Sequence, residues 1–346
     1  MSSVVRPAGV RIVRSERAAR NVRPLVENAE PVGEHCPEDY LRSASGLYAY
    51  ELRHGTERHL GIVAEVDPTA FVDGQVRGHE AVQPARVDAL VDHLRAAGAR
   101  CGLVSLLHRP GPGHATALAA AAAGVPVTRF TGPDGWEQTV WTIPDPAGAD
   151  LCAKLGRAVH YVADGHHRVA AGLRLWDEAG RPSGTGLLCV LHPLGGLRLE
   201  AFHRRLTGPV DPAQVRSMLA GAFEVHELTG PGEATDEIRV YLDGWWLGAT
   251  VIGDRAAGAP GLDIAVLDRH VLGRVRQVNA AAAVEIAPTT TPLADLKDAC
   301  DLDGGVLFVL RPPSMDQLTE VADLGEVMPP KTTYFAPKPY AGVFIR

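Results

Sequence analysis

The chain has 346 residues, of which 46% are hydrophobic and 22% are charged, a balance typical of a globular protein with room for two domains. Its formal net charge of −7 argues against a nucleic-acid binder that relies on a broad basic face. The sequence shows neither a long apolar run that would cross a membrane nor the apolar segment of a secretion signal, so we expect a cytoplasmic protein.

The predicted elements begin at Leu47, after about 45 residues without a clear hydrophobic period. Up to residue 155 the pattern predicts strands at 47–52, 59–66, 101–107 and 140–145 and helices at 85–94, 115–123 and 149–155. After residue 185 it predicts strands at 186–191, 197–202, 238–242, 245–252, 284–286, 305–311 and 342–345 and helices at 212–219, 262–275, 292–300 and 314–322. The strand at 197–202 is expected to pair with the one at 186–191. This mixture predicts an α/β fold.

Between these two groups lies a polar run that joins a predicted strand to a predicted helix: Asp164, Gly165, His166, His167 and Arg168. Gly165 allows a tight turn, and the amides and dipole at the start of a helix favour an anion. The two imidazoles and the guanidinium add donors and positive charge, and Asp164 could hold a metal ion or orient a hydroxyl. The run predicts a phosphate site, and the alternative is a solvated surface turn.

Glu80 follows His79 where an extended segment meets a helix. A carboxylate at such a position can accept a hydroxyl proton if the hydroxyl lies within hydrogen-bond reach. The alternative is a glutamate that only complements the helix dipole.

A third polar cluster comprises Lys331, Thr332 and Thr333, which follow two prolines. Its hydroxyls could bind a phosphate or the carboxylate of a small acid, and the alternative is a turn with satisfied threonines. The pair His203 and Arg204 is interpreted as a solvated strand edge. The five cysteines are widely spaced, which is typical of reduced thiols, and no histidine pair has the spacing of a metal site.

Several of these motifs together resemble a known family. The run Tyr161–Arg168, the stretch 325–338, the Gly78-His79-Glu80 segment and the Trp141–Asp145 segment occur in the order seen in the family called domain of unknown function 1015. The resemblance covers roughly residues 47 to 345. The same motifs are similar to those of archaeal free-serine kinases, which belong to the ParB/sulfiredoxin-like superfamily.

This resemblance implies a domain organisation. We expect a poorly specified N-terminal segment at 1–45 and a ParB/sulfiredoxin-like nucleotide-binding core with the phosphate turn at 46–205. An additional α/β region at 206–346 is expected to contribute acceptor-site residues.

The resemblance also implies a role for each motif. Two carboxylates are expected to be catalytic: Glu80 and Asp164. One turn is expected to bind the phosphates of a nucleotide: Asp164, Gly165, His166, His167 and Arg168. Four residues are expected to bind the acceptor substrate: His79, Lys331, Thr332 and Thr333. No residue is expected to form a protein metal site.

The implied function is a small-molecule kinase that phosphorylates the hydroxyl of free L-serine or a similar hydroxy-amino acid. The donor is ATP, ADP or pyrophosphate, with Mg²⁺, and no nucleic acid or membrane takes part. Val169 and Phe335 differ from the residues usual in these motifs, and both bear on which acceptor is used. The alternative is a non-catalytic ParB-like nucleotide-binding switch or scaffold. A sulfiredoxin-like reductase ranks last, because none of the cysteines lies in the turn. The oligomeric state stays open.

Overall fold

The computed structural model describes residues 4–25, 36–42, 45–96, 102–232 and 236–346. The chain forms two compact units. The first contains the residues up to Arg198 together with Pro337–Arg346, and the second contains Leu199–Ala336.

The first unit is built on a mixed β-sheet. In spatial order its strands are Val76–Arg77, His160–Asp164, Val104–His108, Leu187–Pro193, Glu57–Val66, Leu47–His54, Glu137–Ile143 and Thr128–Thr131, and Val5–Arg6 pairs with Glu57–Val66. Two pairings are parallel, His160–Asp164 with Val76–Arg77 and Leu187–Pro193 with Val104–His108. The other pairings in this sheet are antiparallel.

Helices and two small sheets complete the first unit. The α-helices are Ala18–Asn21, Thr69–Val72, Pro84–Ala96, His114–Ala122, Ala147–Leu155 and His166–Glu178, with 3₁₀ turns at Ser15–Arg17 and Pro37–Asp39. Arg11–Val13 pairs with Phe344–Ile345 and with Tyr40–Arg42, and Arg23–Pro24 pairs with Tyr340–Ala341. The last residues of the described chain therefore pair with its first strands.

Both faces of the large sheet are covered. In the strand Leu47–His54, Leu47 and Ala49 join one apolar core, whereas Tyr48 and Tyr50 join the other. Because successive side chains of a strand point to opposite faces, a strand buried on both faces shows a nearly continuous apolar run. This explains the unbroken apolar pattern from Leu47 to Tyr50.

The second unit contains an antiparallel sheet. In spatial order its strands are Phe223–Leu228, Trp245–Val251, Ile238–Leu242, Val306–Val309, Phe202–Leu206 and Val284–Pro288. Its helices are Pro212–Ala220, Asp263–Leu267, Gly273–Val278, Leu293–Asp303 and Met315–Asp323, with a π-helical turn at Asp268–Leu272 and a 3₁₀ turn at Ala259–Gly261.

The predicted α/β class is confirmed, and one predicted pairing is wrong. The strand Arg198–Glu200 pairs with Tyr334–Ala336, not with the strand Leu187–Pro193. Both edges of Leu187–Pro193 are already filled by Glu57–Val66 and Val104–His108, so no further strand can add to it. The predicted partner strand at 197–202 follows a tight turn, and such a turn alone does not force two strands to form a hairpin.

Two further expectations concern the chain as a whole. Among the helices in the described ranges, none has the length and apolarity that crossing a bilayer requires. Cys36, Cys152, Cys189 and Cys300 are free thiols, whereas Cys101 lies outside the described residues.

The first unit buries several histidines close to the strand His160–Asp164. The ring of His108 lies 4.6 Å from that of His114 and 5.9 Å from that of His160, measured between centroids. Burial lowers the pKa of His114 and that of His160 to about 4, and that of His192 to about 3. These rings are therefore neutral in the folded protein at every pH above about 4.

Their depressed pKa values predict an acid-labile fold. Between pH 6.5 and pH 4 an unfolded histidine takes up a proton that the buried ring refuses, so the free energy of unfolding falls by up to about 1.4 kcal/mol per pH unit for each ring. Above pH 6.5 both states are neutral and the effect vanishes. Urea unfolding at a series of pH values measures this slope.

The matched variants are His160→Gln and His54→Gln, because His160 is fully buried and His54 is exposed. We expect His160→Gln to reduce the slope between pH 4 and pH 6.5 and His54→Gln to leave it unchanged. A His160→Gln slope equal to that of the wild type would contradict the prediction.

Candidate functional site

The candidate site begins at the turn that follows a buried strand. The strand His160–Asp164 ends at Asp164, Gly165 adopts a left-handed conformation with φ 101°, and the helix His166–Glu178, here called the motif helix, begins immediately after it. Because glycine precedes the helix, no N-cap side chain covers its first amides. Uncapped amides and the helix dipole together favour an anion at this end.

The loop that carries Glu80 is fixed on both sides. Before it, Val76–Arg77 pairs with the beginning of the strand His160–Asp164. After it, the helix Pro84–Ala96 packs against the motif helix, where Val91 and Ala171 belong to one apolar cluster. The sequence therefore places Glu80 beside the turn through two separate packing contacts.

Two histidines of the motif helix hold this loop. The amide of His79 donates to Nε2 of His166 at 3.4 Å, and the amide of Gln83 donates to Nε2 of His167 at 3.0 Å. A neutral ring that accepts at Nε2 carries its proton on Nδ1. Nδ1 of His166 lies 3.4 Å from Oε2 of Glu80, so this proton faces the carboxylate.

Glu80 is ionised and accessible. Burial raises its pKa, but the hydrogen bond from His166, together with the electrostatic effect of the His166 and His167 rings, outweighs burial and brings the pKa below its ordinary value. The side chain keeps 36% of its surface exposed. It can therefore accept a proton from a bound hydroxyl.

His79 has a different environment from Glu80. It is only 1% exposed, and its ring packs edge-on against that of His166 at 4.8 Å. Burial and then the neighbouring His166 hold the pKa of His79 well below its ordinary value. In this structure the His79 ring supports His166.

Asp164 lies between two cations. One carboxylate oxygen pairs with Nζ of Lys338 and the other with Nη2 of Arg168, whose Nη1 donates to the carbonyl of Leu103. Burial raises the pKa of Asp164, but the charges of Lys338 and Arg168 outweigh burial and leave the pKa below its ordinary value. The carboxylate is therefore ionised and fixed in place.

The side chains of the turn fit Mg²⁺ poorly as direct ligands. Both oxygens of Asp164 already contact cations, and in the described part of the chain no group of three or more histidine, cysteine, aspartate or glutamate residues is arranged to hold a metal ion. A Mg²⁺ ion commonly binds through substrate phosphates with few protein ligands. The residues of the turn therefore suit an anion better than a metal ion held by the protein alone.

The cluster Lys331, Thr332 and Thr333 belongs to the second unit. Thr332 is 8% exposed, and its hydroxyl donates to the carbonyl of Pro329 at 2.6 Å. Lys331 has a positive φ of 57°, and its Nζ lies 5.3 Å from the centre of the Phe202 ring. The segment is therefore an ordered turn with side-chain contacts of its own.

Sequence reasoning gave no role to Lys338 and misjudged Arg204. Lys338 closes the 325–338 stretch that resembles the family, but its ion pair with Asp164 joins residues 174 positions apart. His203 and Arg204, interpreted as a solvated edge, are only 6% and 3% exposed. The strand that carries them has neighbours on both sides and therefore does not lie at an edge of the sheet.

The turn and the Glu80 loop belong to a mixed α/β protein in which the uncapped start of a helix favours an anion. The sequence matches the family described as "Protein of unknown function (DUF1015)" over residues 14–270. The chain belongs to this family, as its motifs predicted. No curated protein matches the sequence.

Three solved structures illustrate the similarity of fold. A free serine kinase in complex with AMP is 14% identical with a TM-score of 0.39, covering 80% of this chain and 87% of that one. C-terminally truncated SbnI from Staphylococcus aureus is 14% identical with a TM-score of 0.42, covering 81% and 85%. A conserved hypothetical protein from Pyrococcus furiosus is 16% identical with a TM-score of 0.36, covering 81% and 91%. Similarities at this level carry no functional conclusion.

Gly165 provides a test of the anion site. A Cβ at this position would lie 2.9 Å from Nε of Arg168, whose guanidinium is already held by Asp164 and Leu103. Gly165→Ala therefore both strains the turn, by about 1 kcal/mol, and displaces Arg168. We expect weaker binding of pyrophosphate, measured by isothermal titration calorimetry.

The control is Gly180→Ala at the other end of the motif helix. Gly180 has a positive φ of 79°, and a Cβ added there would meet nothing within 4 Å, so the variant carries similar backbone strain without touching Arg168. It should lose stability but keep pyrophosphate affinity. Wild-type affinity in Gly165→Ala would show that the turn is not the anion site.

Proposed function

We propose that this protein is a small-molecule kinase that transfers a phosphoryl group to the hydroxyl of free L-serine or a similar hydroxy-amino acid. One observation carries the proposal: the ionised, partly exposed carboxylate of Glu80 is held by His166 against the uncapped start of the motif helix. A base beside an anion site is the minimal arrangement for phosphoryl transfer to an alcohol.

The residues of the turn suit the donor. The amides of the motif helix and the guanidinium of Arg168 would bind the phosphates and stabilise the charge that develops on the transferring group. Asp164 would orient Arg168 and Lys338, whose positive charges it holds at the turn. ATP, ADP and pyrophosphate all carry the phosphate groups that such a turn recognises, and Mg²⁺ would enter with those phosphates.

The acceptor would be oriented by other residues. Following the motif resemblance, we assign Lys331, Thr332 and Thr333 to acceptor binding. The amine of Lys331 and the hydroxyl of Thr333 suit the carboxylate of an amino acid, whereas the Thr332 hydroxyl, which donates to the carbonyl of Pro329, would shape the turn around it. Glu80 would then withdraw the proton from the acceptor hydroxyl as the phosphoryl group arrives. We place this reaction in the cytoplasm, without nucleic acid.

A reductase mechanism finds less support. Cys189 is fully buried, and burial raises the pKa of its thiol, so the nucleophilic thiolate is disfavoured. The pKa values of Cys152 and Cys300 are also raised by burial. The alternative that shares the anion site is a nucleotide-binding switch or scaffold that does not consume its ligand.

The decisive variant is Glu80→Gln, which keeps the shape of the side chain but cannot take a proton. The protein is incubated with Mg²⁺, L-serine and each of the three donors in turn. The formation of O-phosphoserine is followed by ³¹P NMR. We expect turnover to fall by about 100-fold or more in Glu80→Gln, while the affinity for the donor stays unchanged.

The control is Asp88→Asn, which removes an exposed carboxylate from the neighbouring helix Pro84–Ala96. It should keep wild-type turnover. Full activity in Glu80→Gln would refute the assigned base. A wild-type protein that binds nucleotide but phosphorylates no hydroxy-amino acid would refute the kinase and favour the switch.

A further inference from the structure

Arg204 is a buried arginine whose donors point at backbone carbonyls. It lies in the strand Phe202–Leu206 of the second unit and is 3% exposed. Its Nη2 donates to the carbonyls of Pro330 and Lys331 at 2.8 Å and 2.9 Å. Its Nη1 donates to the carbonyls of Phe202 and His203 at 3.2 Å and 3.4 Å.

Burying this charge is unfavourable, so its retention calls for an explanation. Burial lowers the pKa of Arg204 to about 10, with Asp268 opposing the shift, and the guanidinium stays charged at neutral pH. A buried charge commonly adds less stability than an apolar residue of the same volume. The planar guanidinium of an arginine, with five donors in a fixed geometry, is well suited to bridge several carbonyls at once.

The carbonyls of Pro330 and Lys331, which accept from Nη2 of Arg204, belong to a strained turn. Lys331 has a positive φ of 57°, which a residue with a side chain seldom adopts, and such strain persists only where the surroundings enforce it. The hydroxyl of Thr332 closes the turn internally on the carbonyl of Pro329. Arg204 holds the next two carbonyls, those of Pro330 and Lys331.

We propose that Arg204 is a positioning residue that fixes the 329–333 turn and thereby sets the affinity for the acceptor. Its effect on the acceptor rests on the proposed function, which assigns Lys331, Thr332 and Thr333 to acceptor binding. Its effect on the turn follows from the hydrogen bonds alone. Arg204 does not itself touch the reacting atoms.

The adjacent Arg205 provides a matched control. It is 7% exposed in the same strand, but its Nη1 and Nη2 bind Oδ2 of Asp303 at 2.8 Å and 3.0 Å. Arg205→Lys therefore disturbs a buried arginine to a similar degree while leaving the two bonds to Pro330 and Lys331 in place. Arg204→Lys keeps the positive charge but loses the planar guanidinium that bonds to several carbonyls.

Hydrogen–deuterium exchange of the full-length protein tests the positioning directly. In Arg204→Lys we expect exchange in peptides covering 328–334 to accelerate about tenfold, the effect of losing one charged hydrogen bond, with the core strand Val306–Val309 unchanged. In Arg205→Lys the 328–334 peptides should exchange at the wild-type rate. An unchanged 328–334 rate in Arg204→Lys would overturn the proposal. If that variant does not fold, Arg204→Gln replaces it in the same assay.

Steady-state kinetics tests the consequence for the acceptor. In Arg204→Lys we expect the KM for L-serine to rise about tenfold, because a displaced binding turn weakens acceptor binding, while the KM for the donor stays within about twofold. Arg205→Lys should move neither. An unchanged acceptor KM in an active Arg204→Lys enzyme would overturn the role in acceptor binding. Faster exchange at 328–334 in a protein that phosphorylates nothing would support the positioning role and refute the kinase.

Discussion

The ion pairs of Asp164 are the constraint on which the candidate site depends. A half-buried carboxylate with a cation on each oxygen ties together the end of a sheet strand, the first turn of the motif helix and the segment Pro337–Arg346. Removing one of the two cations leaves this carboxylate with less compensation for its desolvation and therefore lowers stability. Arg168 is thereby fixed in front of Gly165, and the positive charge of the turn is fixed with it.

The histidines of the motif have a different role from the one that a positive charge would suggest. His166 and His167 both accept backbone amides at Nε2, so they serve as structural acceptors that hold the Glu80 loop. Burial also lowers the pKa of His167 despite the nearby Glu80. The attraction for an anion therefore comes chiefly from the helix start and Arg168.

The sequence predicted the local features of the site but not the distant contacts. The apolar run before Gly165 and the helical spacing after it predicted the strand, the turn and the helix, because each depends on neighbouring residues. The ion pair of Lys338 could not be predicted, since no local pattern relates residues so far apart. Arg204 was misjudged because arginine is mostly exposed, and no local pattern shows that its strand lies inside a sheet with its side chain buried.

The division of the chain has a consequence for its biosynthesis. Tyr340–Ala341 and Phe344–Ile345 fill places beside Arg23–Pro24 and Arg11–Val13, and the second unit separates these partners in the chain. On the ribosome, the first strands must therefore wait while the whole second unit is translated. At about 5–20 residues per second this delay lasts roughly 7–28 seconds, during which the open strand edges of the nascent chain can pair with other chains.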